Sequence, residues 1–131
     1  MATVLALDIG ERKIGVARAN TVARIAEPLA TLTNDEKLPE ALQQIIANEQ
    51  AEKLVVGLPR GMDGQATKQT QYVEDFINNL HIALPVVFQD EAVTSIEAEK
   101  RLQKRKKPYS KEDIDAMAAS VILEDYLGVL E

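Results

Sequence analysis

Cysteine and tryptophan are absent from this 131-residue chain, and histidine occurs once, as His81. No disulfide can form, and no thiolate can hold a metal or act as a nucleophile. A single imidazole argues against a histidine-based zinc site and a histidine-driven triad. Long apolar runs are missing as well. Nothing approaches the ~18 residues of a membrane span, and the N-terminus lacks the basic-then-apolar pattern of a signal peptide. No membrane partner is expected, and the cytoplasm is the expected compartment. Aromatic residues are only two Phe and three Tyr.

What remains is ordinary globular material, with 46% hydrophobic and 27% charged residues. That is enough for one domain with a real core, over residues 1–131. The net charge of −6 argues against a protein that coats nucleic acid. The charge is unevenly spread, however. From Lys100 to Lys111 there are seven basic residues (Lys100, Arg101, Lys104, Arg105, Lys106, Lys107, Lys111) and no acid. Arg12, Lys13, Arg18 and Arg24 form a smaller basic group. An acidic body can still bind phosphates through local surfaces of this kind.

Periodicity predicts strands over 3–9, 13–19 and 25–32, the first two joined by a hairpin turn at Gly10-Glu11-Arg12. Asn34-Asp35 introduces a helix over about 36–49, with Leu38, Leu42, Ile45 and Ile46 on one face. A short strand over 53–58 ends at Pro59, and 60–64 is a glycine-containing loop. A helix over about 66–80 turns Tyr72, Val73, Phe76, Ile77 and Leu80 inward, and His81 belongs to its end. A fifth strand covers 85–88. Thr94 is the expected N-cap of a helix reaching Lys104, with Glu97 as its capping-box partner. Ser110 caps a last helix running to about Leu127. The pattern predicts an α/β fold: a mixed five-stranded sheet, strands 1–3 antiparallel and the later ones parallel, with helices on both faces.

Three carboxylates stand where structure alone does not call for them. Asp8 interrupts the apolar run Val4–Ile9, and it faces opposite to Leu7 and Ile9 on a strand. Burying an ionised carboxylate is costly unless something compensates it. Glu91 follows the strand Pro85–Phe88, and the spacing does not choose between Asp90 and Glu91 as the inward acid. Asp115 shares a helix face with Ala118, Ala119, Ile122 and Tyr126 at about 100° per residue, opposite Asp113, Ser120 and Glu124. A first-turn acid gains only ~0.3–1 kcal/mol from the helix dipole, which does not explain the inner face. Gathered acids repel one another, and a hard divalent cation reverses that sign. Magnesium takes carboxylate oxygens and keeps room for phosphate. Two such ions can drive phosphodiester cleavage without histidine or cysteine.

Leu5-Ala6-Leu7-Asp8-Ile9-Gly10 with Lys13-Ile14-Gly15-Val16-Ala17 resembles the first motif of the YqgF/RuvX family. Val55-Val56-Gly57-Leu58-Pro59 with Met62-Asp63-Gly64 resembles its second, Asp90-Glu91 before Thr94 its third, and Ile114–Ala119 its fourth. The motifs occur in order over nearly the whole chain. The resemblance implies a ribonuclease H-like fold related to RuvC-type Holliday-junction resolvases. It implies a nuclease maturing the 5′ end of precursor 16S rRNA, with Asp8, Glu91 and Asp115 as catalytic acids and metal ligands for Mg²⁺ or Mn²⁺. The chain departs from the family pattern at Glu11-Arg12-Lys13, at Asn20 and at Ala92. The last removes an arginine from beside the site.

Nucleic-acid contacts are expected from Arg12, Lys13, Arg60, Lys100, Lys104, Arg105, Lys106 and Lys107, which border the proposed metal site. The expected partners are structured RNA or branched DNA, and ribosomal particles, with monomer and homodimer both open. Three other functions compete. One is DNA-junction resolution with the same acids. Another is a non-catalytic RNA-binding assembly factor. The third is an actin-like sugar kinase, suggested by Asp8…Gly15 but lacking a second lobe.

Overall fold

The computed structural model describes residues 2–60, 65–91, 94–105 and 107–129, with the side chains of Glu91, Thr94, Ser95 and Val129 outside that description. Strands β1 (Thr3–Ile9), β2 (Lys13–Asn20) and β3 (Ala26–Thr33) form an antiparallel meander. Strands β4 (Ala51–Pro59) and β5 (Val86–Glu91) add to it in parallel, so the sheet order is β3-β2-β1-β4-β5. Helix α1 (Leu38–Glu49) leads into β4 and α2 (Lys68–Leu80) into β5; α3 (Thr94–Lys104) and α4 (Lys111–Val129) follow. This is the mixed sheet that the sequence pattern predicts.

The period of two along each strand sorts side chains onto two faces. Leu5, Leu7 and Ile9 join Ile14, Val16, Leu54 and Val56 beneath Leu38, Leu42, Val73 and Ile77 of α1 and α2. Fully burying each such aliphatic side chain contributes roughly 1.5–3 kcal/mol. Val4 and Ala6 face the other way, with Ala17, Ala19 and Val55 under Ala119, Ile122, Leu123 and Tyr126 of α4. The alanines on this second face let α4 lie close to the sheet. Asp8 has the parity of Val4 and Ala6, so it belongs to the α4 side.

Local chemistry sets the element ends. The Gly10 amide donates to the Lys13 carbonyl at 3.0 Å, closing the β1–β2 turn. A Cβ at Gly10 would stand 2.8 Å from that carbonyl oxygen, so the turn needs glycine. Thr67 and Thr70 cap the start of α2 reciprocally, and the Thr70 hydroxyl also donates to the Pro59 carbonyl at the end of β4. Ser110 caps α4 as expected. Its hydroxyl accepts from the Asp113 amide at 3.3 Å, and Asp113 Oδ2 accepts from the Ser110 amide at 2.9 Å. His81 ends α2 with a left-handed backbone, φ 50°.

Several boundaries differ from the periodicity, β4 starting at Ala51 and α2 at Lys68 among them. Helix α1 begins at Leu38, because the Asp35 carboxylate accepts from the Lys37 amide at 2.9 Å and Pro39 occupies the first turn. Strand β5 continues through Gln89, Asp90 and Glu91, since pairing with β4 uses backbone groups whatever the side chains. Helix α3 includes Thr94 rather than starting after it; the expected Thr94 cap lies outside the described residues. The 61–64 loop with its second-motif residues, and Ala92, also lie outside them. Ser120, opposite Asp115 on the helical wheel, is 1% exposed. Helix α3 covers that side, packing Ala98 and Leu102 on Met117 and Ala118. Among the described residues no helix is long and apolar enough to cross a membrane.

Candidate catalytic carboxylate site

Asp8 lies at the C-terminal end of β1, half-buried, and its partner across the antiparallel ladder is Gly15. Paired residues of an antiparallel ladder project from the same face. At Gly15 there is no side chain, and the backbone of α4 fills the space. A Cβ there would stand 1.9 Å from the Asp115 carbonyl oxygen and 3.0 Å from the Ala116 amide nitrogen. The first turns of α4 therefore press onto β2 directly opposite Asp8. The Asp115 backbone is thereby set against the strand position paired with Asp8, 107 positions earlier in the chain.

The Asp115 carboxylate is half-buried, and its Oδ2 is buried without a hydrogen-bond partner among the described residues. Burial pushes its pKa above the ordinary aspartate value; Lys111 opposes the shift, Glu112 adds to it and Lys13 opposes it. A carboxyl whose folded pKa is raised binds more protons in the native state. Its stabilising contribution is complete below the unfolded value of ~3.9 and is lost as pH rises through the folded value. In the absence of a cation, Asp115→Asn should therefore raise the thermal midpoint at pH 7, with the gain shrinking toward pH 4. Melts of both proteins in chelator across that range check it. A variant less stable than the wild type at pH 7 would contradict the burial penalty.

Glu91 is the last residue of β5 and pairs with Pro59. Position 91 has the parity of Val87, which packs into the α4-side cluster, while Asp90 has the opposite parity. The Asp90 carboxylate is taken by Arg60, at 3.1 Å from Nε. The register thus sets Asp90 on the face away from α4, where Arg60 holds it. The Glu91 side chain lies outside the described residues, so β5 is placed only by its backbone. It runs two strands from β1, roughly 10 Å away at the usual strand spacing. Gly57, on the intervening strand, carries no side chain to block the space between. Among the described residues no three His, Cys, Asp or Glu side chains converge as a metal site.

The basic residues divide into two groups. Lys13 Nζ lies 3.8 Å from Glu112 Oε1 and donates to the Thr33 hydroxyl at 3.3 Å. Arg60 is held by Asp90. Arg101 bridges Glu97 at 3.2 Å and Glu124 at 2.8 Å, tying α3 to α4. Arg18 pairs with Glu27 and Glu49, each at 2.6 Å, and shares the parity of Ile14 and Val16, away from Asp8. Arg24 donates to the Leu127 carbonyl at the far end of α4. Arg18 and Arg24 thus do structural work remote from the carboxylates. By contrast, Arg12, Lys100, Lys104, Arg105 and Lys107 are exposed and join none of the ion pairs among the described residues. Lys106 lies outside them.

Two contributors escape sequence-based reasoning. Gly15 is one; its signal is a lone glycine inside an apolar strand, which marks close backbone approach. Asn34 is the other. Its amide donates to the Arg12 carbonyl at 2.9 Å, and its side-chain nitrogen donates to the Gly10 carbonyl and the Tyr72 hydroxyl, each at 3.1 Å. It ties the turn after Asp8 to α2. No local pattern signals that role, because its partners are distant in the chain.

Residues 2–128 match the family described as RuvX, Holliday junction resolvase. A protein of Sulfurihydrogenibium sp. (strain YO3AOP1), named "Putative pre-16S rRNA nuclease", is 40% identical over 134 residues, covering 99% of this chain and 92% of that protein. A protein of the same name from Chloroflexus aurantiacus (strain ATCC 29366) is 44% identical over 131 residues, covering 95% and 85%. Among solved structures, T. thermophilus RuvC in complex with a Holliday junction substrate aligns with a TM-score of 0.58 at 12% identity, covering 99% of this chain and 96% of RuvC. Fowlpox virus resolvase with its Holliday junction DNA aligns at 0.57 and 11% identity, covering 98% of each. At these identities the likeness is one of fold, and the fold is the ribonuclease H-like one of RuvC-type resolvases.

Proposed function

The chain belongs to the RuvX family, and from that premise we propose a divalent-metal-dependent endonuclease acting on the 5′ region of precursor 16S rRNA in the cytoplasm. The observation that carries it is the Gly15 contact, which seats Asp115 opposite Asp8 with a buried carboxylate oxygen lacking a hydrogen-bond partner among the described residues. An all-carboxylate donor set fits Mg²⁺ or Mn²⁺, which prefer oxygen ligands.

Asp8 and Asp115 would hold the metal, with Glu91 completing the set from the end of β5. When bound, the metal supplies Lewis acidity and lowers the pKa of water. The rest falls to the chain. Asp8 is fixed on a strand whose following turn is tied by Asn34, so the carboxylate keeps its geometry. Lys13, steadied by Glu112 and Thr33, places positive charge beside Asp115. Arg12 and the exposed cations of the α3–α4 connection hold substrate phosphates and set its register. Hydrolysis would leave 5′-phosphate and 3′-hydroxyl ends.

The test is incubation of purified protein with precursor 16S RNA in chelator, then with excess Mg²⁺ or Mn²⁺. New 5′ ends should appear only with the cation. A four-way DNA junction runs in parallel, because the family description and the RuvC-like fold favour it as a second substrate. Junction cleavage with the RNA intact would move the function to DNA resolution. Binding with no cleavage of either under any metal would leave an RNA-binding assembly factor.

A further inference from the structure

The connection between α3 and α4 folds a small cleft lined by Leu102, Arg105, Lys107, Pro108, Tyr109 and Asp113. Tyr109 and Pro108 offer apolar surface beside the buried Leu102. The Tyr109 ring is held at its far end, where its hydroxyl donates to Glu99 at 3.3 Å and accepts from Gln103 at 3.4 Å. A ring already fixed in orientation loses little freedom when a ligand stacks on it. Arg105 and Lys107 stand exposed in the same cleft, without carboxylate partners among the described residues.

We propose that this cleft binds one unpaired nucleotide, its base against the Tyr109 ring and its phosphates on Arg105 and Lys107. Packing explains part of the tyrosine, which touches the Ala98–Leu102–Met117–Ala118 cluster. It does not explain why two cations flank a half-buried ring in a chain of net charge −6, while Lys13, Arg18, Arg60 and Arg101 each hold a carboxylate. Aromatic rings with adjacent cations are the recurring means of holding single strands. A base inside a duplex has both faces covered by its neighbours and cannot use such a ring. Arg105 and Asp113 also line a second cleft, which runs along Pro28 and Thr31 of β3 to Glu112 and Ala116 of α4. Those two residues flank Asp115 along the helix. Arg105 thus borders both clefts, and the second of them reaches the turn of α4 that carries Asp115. This deepens the nuclease function and rests on it for the substrate class, but its test requires no cleavage.

The experiment is fluorescence anisotropy with labelled single-stranded RNA, single-stranded DNA and duplex RNA of equal length, in chelator so that nothing is cut. Both single strands should bind at least about tenfold tighter than the duplex, and any RNA preference over DNA identifies RNA as the natural source. Tyr109→Leu should weaken single-strand binding about tenfold or more and leave duplex binding unchanged. Tyr109→Phe should stay within about twofold of wild type. Lys107→Gln should lower the salt slope of single-strand binding by about one. The chain has no tryptophan, so tyrosine emission can be followed directly. Single-strand binding should quench it, and the quench should shrink in Tyr109→Phe.

Equal affinity for duplex and single strand overturns the proposal, as does an unchanged quench in Tyr109→Phe. If Tyr109→Leu fails to fold, the Phe and Lys107 variants still decide. Absence of all nucleic-acid binding removes both this site and the nuclease. Single-strand binding by a wild-type protein that cuts nothing in Mg²⁺ or Mn²⁺ removes only the nuclease.

Discussion

Asp8→Asn should lower phosphodiester cleavage by at least about 10³-fold while the protein keeps its fold and its affinity for RNA. The substitution is isosteric and sits at a strand end, so the packing of Val4, Ala6 and Leu7 around it is untouched. What it removes is one negative charge at the strand position paired with Gly15. In the proposed site a metal held by two acids rather than three would be bound more weakly, and its contribution of several kcal/mol to the transition state would fall with it. Each 1.36 kcal/mol lost is tenfold in rate. Initial rates on precursor RNA in saturating Mg²⁺, alongside anisotropy and a thermal melt, separate the outcomes. Full activity in a folded Asp8→Asn protein would end the carboxylate assignment. A loss of activity that follows a loss of RNA affinity would instead place Asp8 in binding.

Gly15→Ala should destabilise the protein by about 3 kcal/mol or more, at or above the upper end of ordinary overpacking. For a chain of this size that is roughly 10 °C in thermal midpoint. The reason is geometric. The added methyl would meet the Asp115 carbonyl oxygen at 1.9 Å and its carbonyl carbon at 2.4 Å, and these are backbone atoms that no rotamer change can move. Relief requires the start of α4 to lift from β2, against packing through Ala119, Ile122 and Leu123. That movement also carries Asp115 away from Asp8. Cleavage should therefore fall even at temperatures where the variant remains folded. Thermal melts and Mn²⁺ titration check both effects. A variant with wild-type midpoint and metal affinity would show that α4 moves freely and that Gly15 does not set the site.

Much of the fold is legible locally. The alternation of Leu5, Leu7 and Ile9 against Val4, Ala6 and Asp8 appears in the sheet as two different packing faces. Ser110 and Asp113 cap α4 through bonds that span three residues, and such short-range chemistry needs no tertiary context. The end of β5 depends instead on a non-local partner. Strand β5 runs on to Glu91 because β4 offers backbone groups there.

The carboxylates follow the same division. Asp8 stands out because a strand is nearly all apolar around it, and Asp115 because the helical period puts it beside Ala118 and Ala119. Glu91 and Asp90 are neighbours of like chemistry, and only the pairing of Leu58 with Asp90 and Pro59 with Glu91 tells their positions apart. The basic residues are least legible. Lys13, Arg60 and Arg101 read in sequence like Lys104, Arg105 and Lys107, yet the first three hold carboxylates far along the chain.

From its residues alone, this chain's class, its strand and helix faces and two of its candidate acids, Asp8 and Asp115, are legible, because periodicity and chemical type are local properties. Which cations hold carboxylates, and that a single missing Cβ at Gly15 sets the Asp115 backbone against the strand position paired with Asp8, were decided only in three dimensions. Those facts depend on register and on contacts between segments about a hundred residues apart, and no window along the chain contains both ends of such a contact.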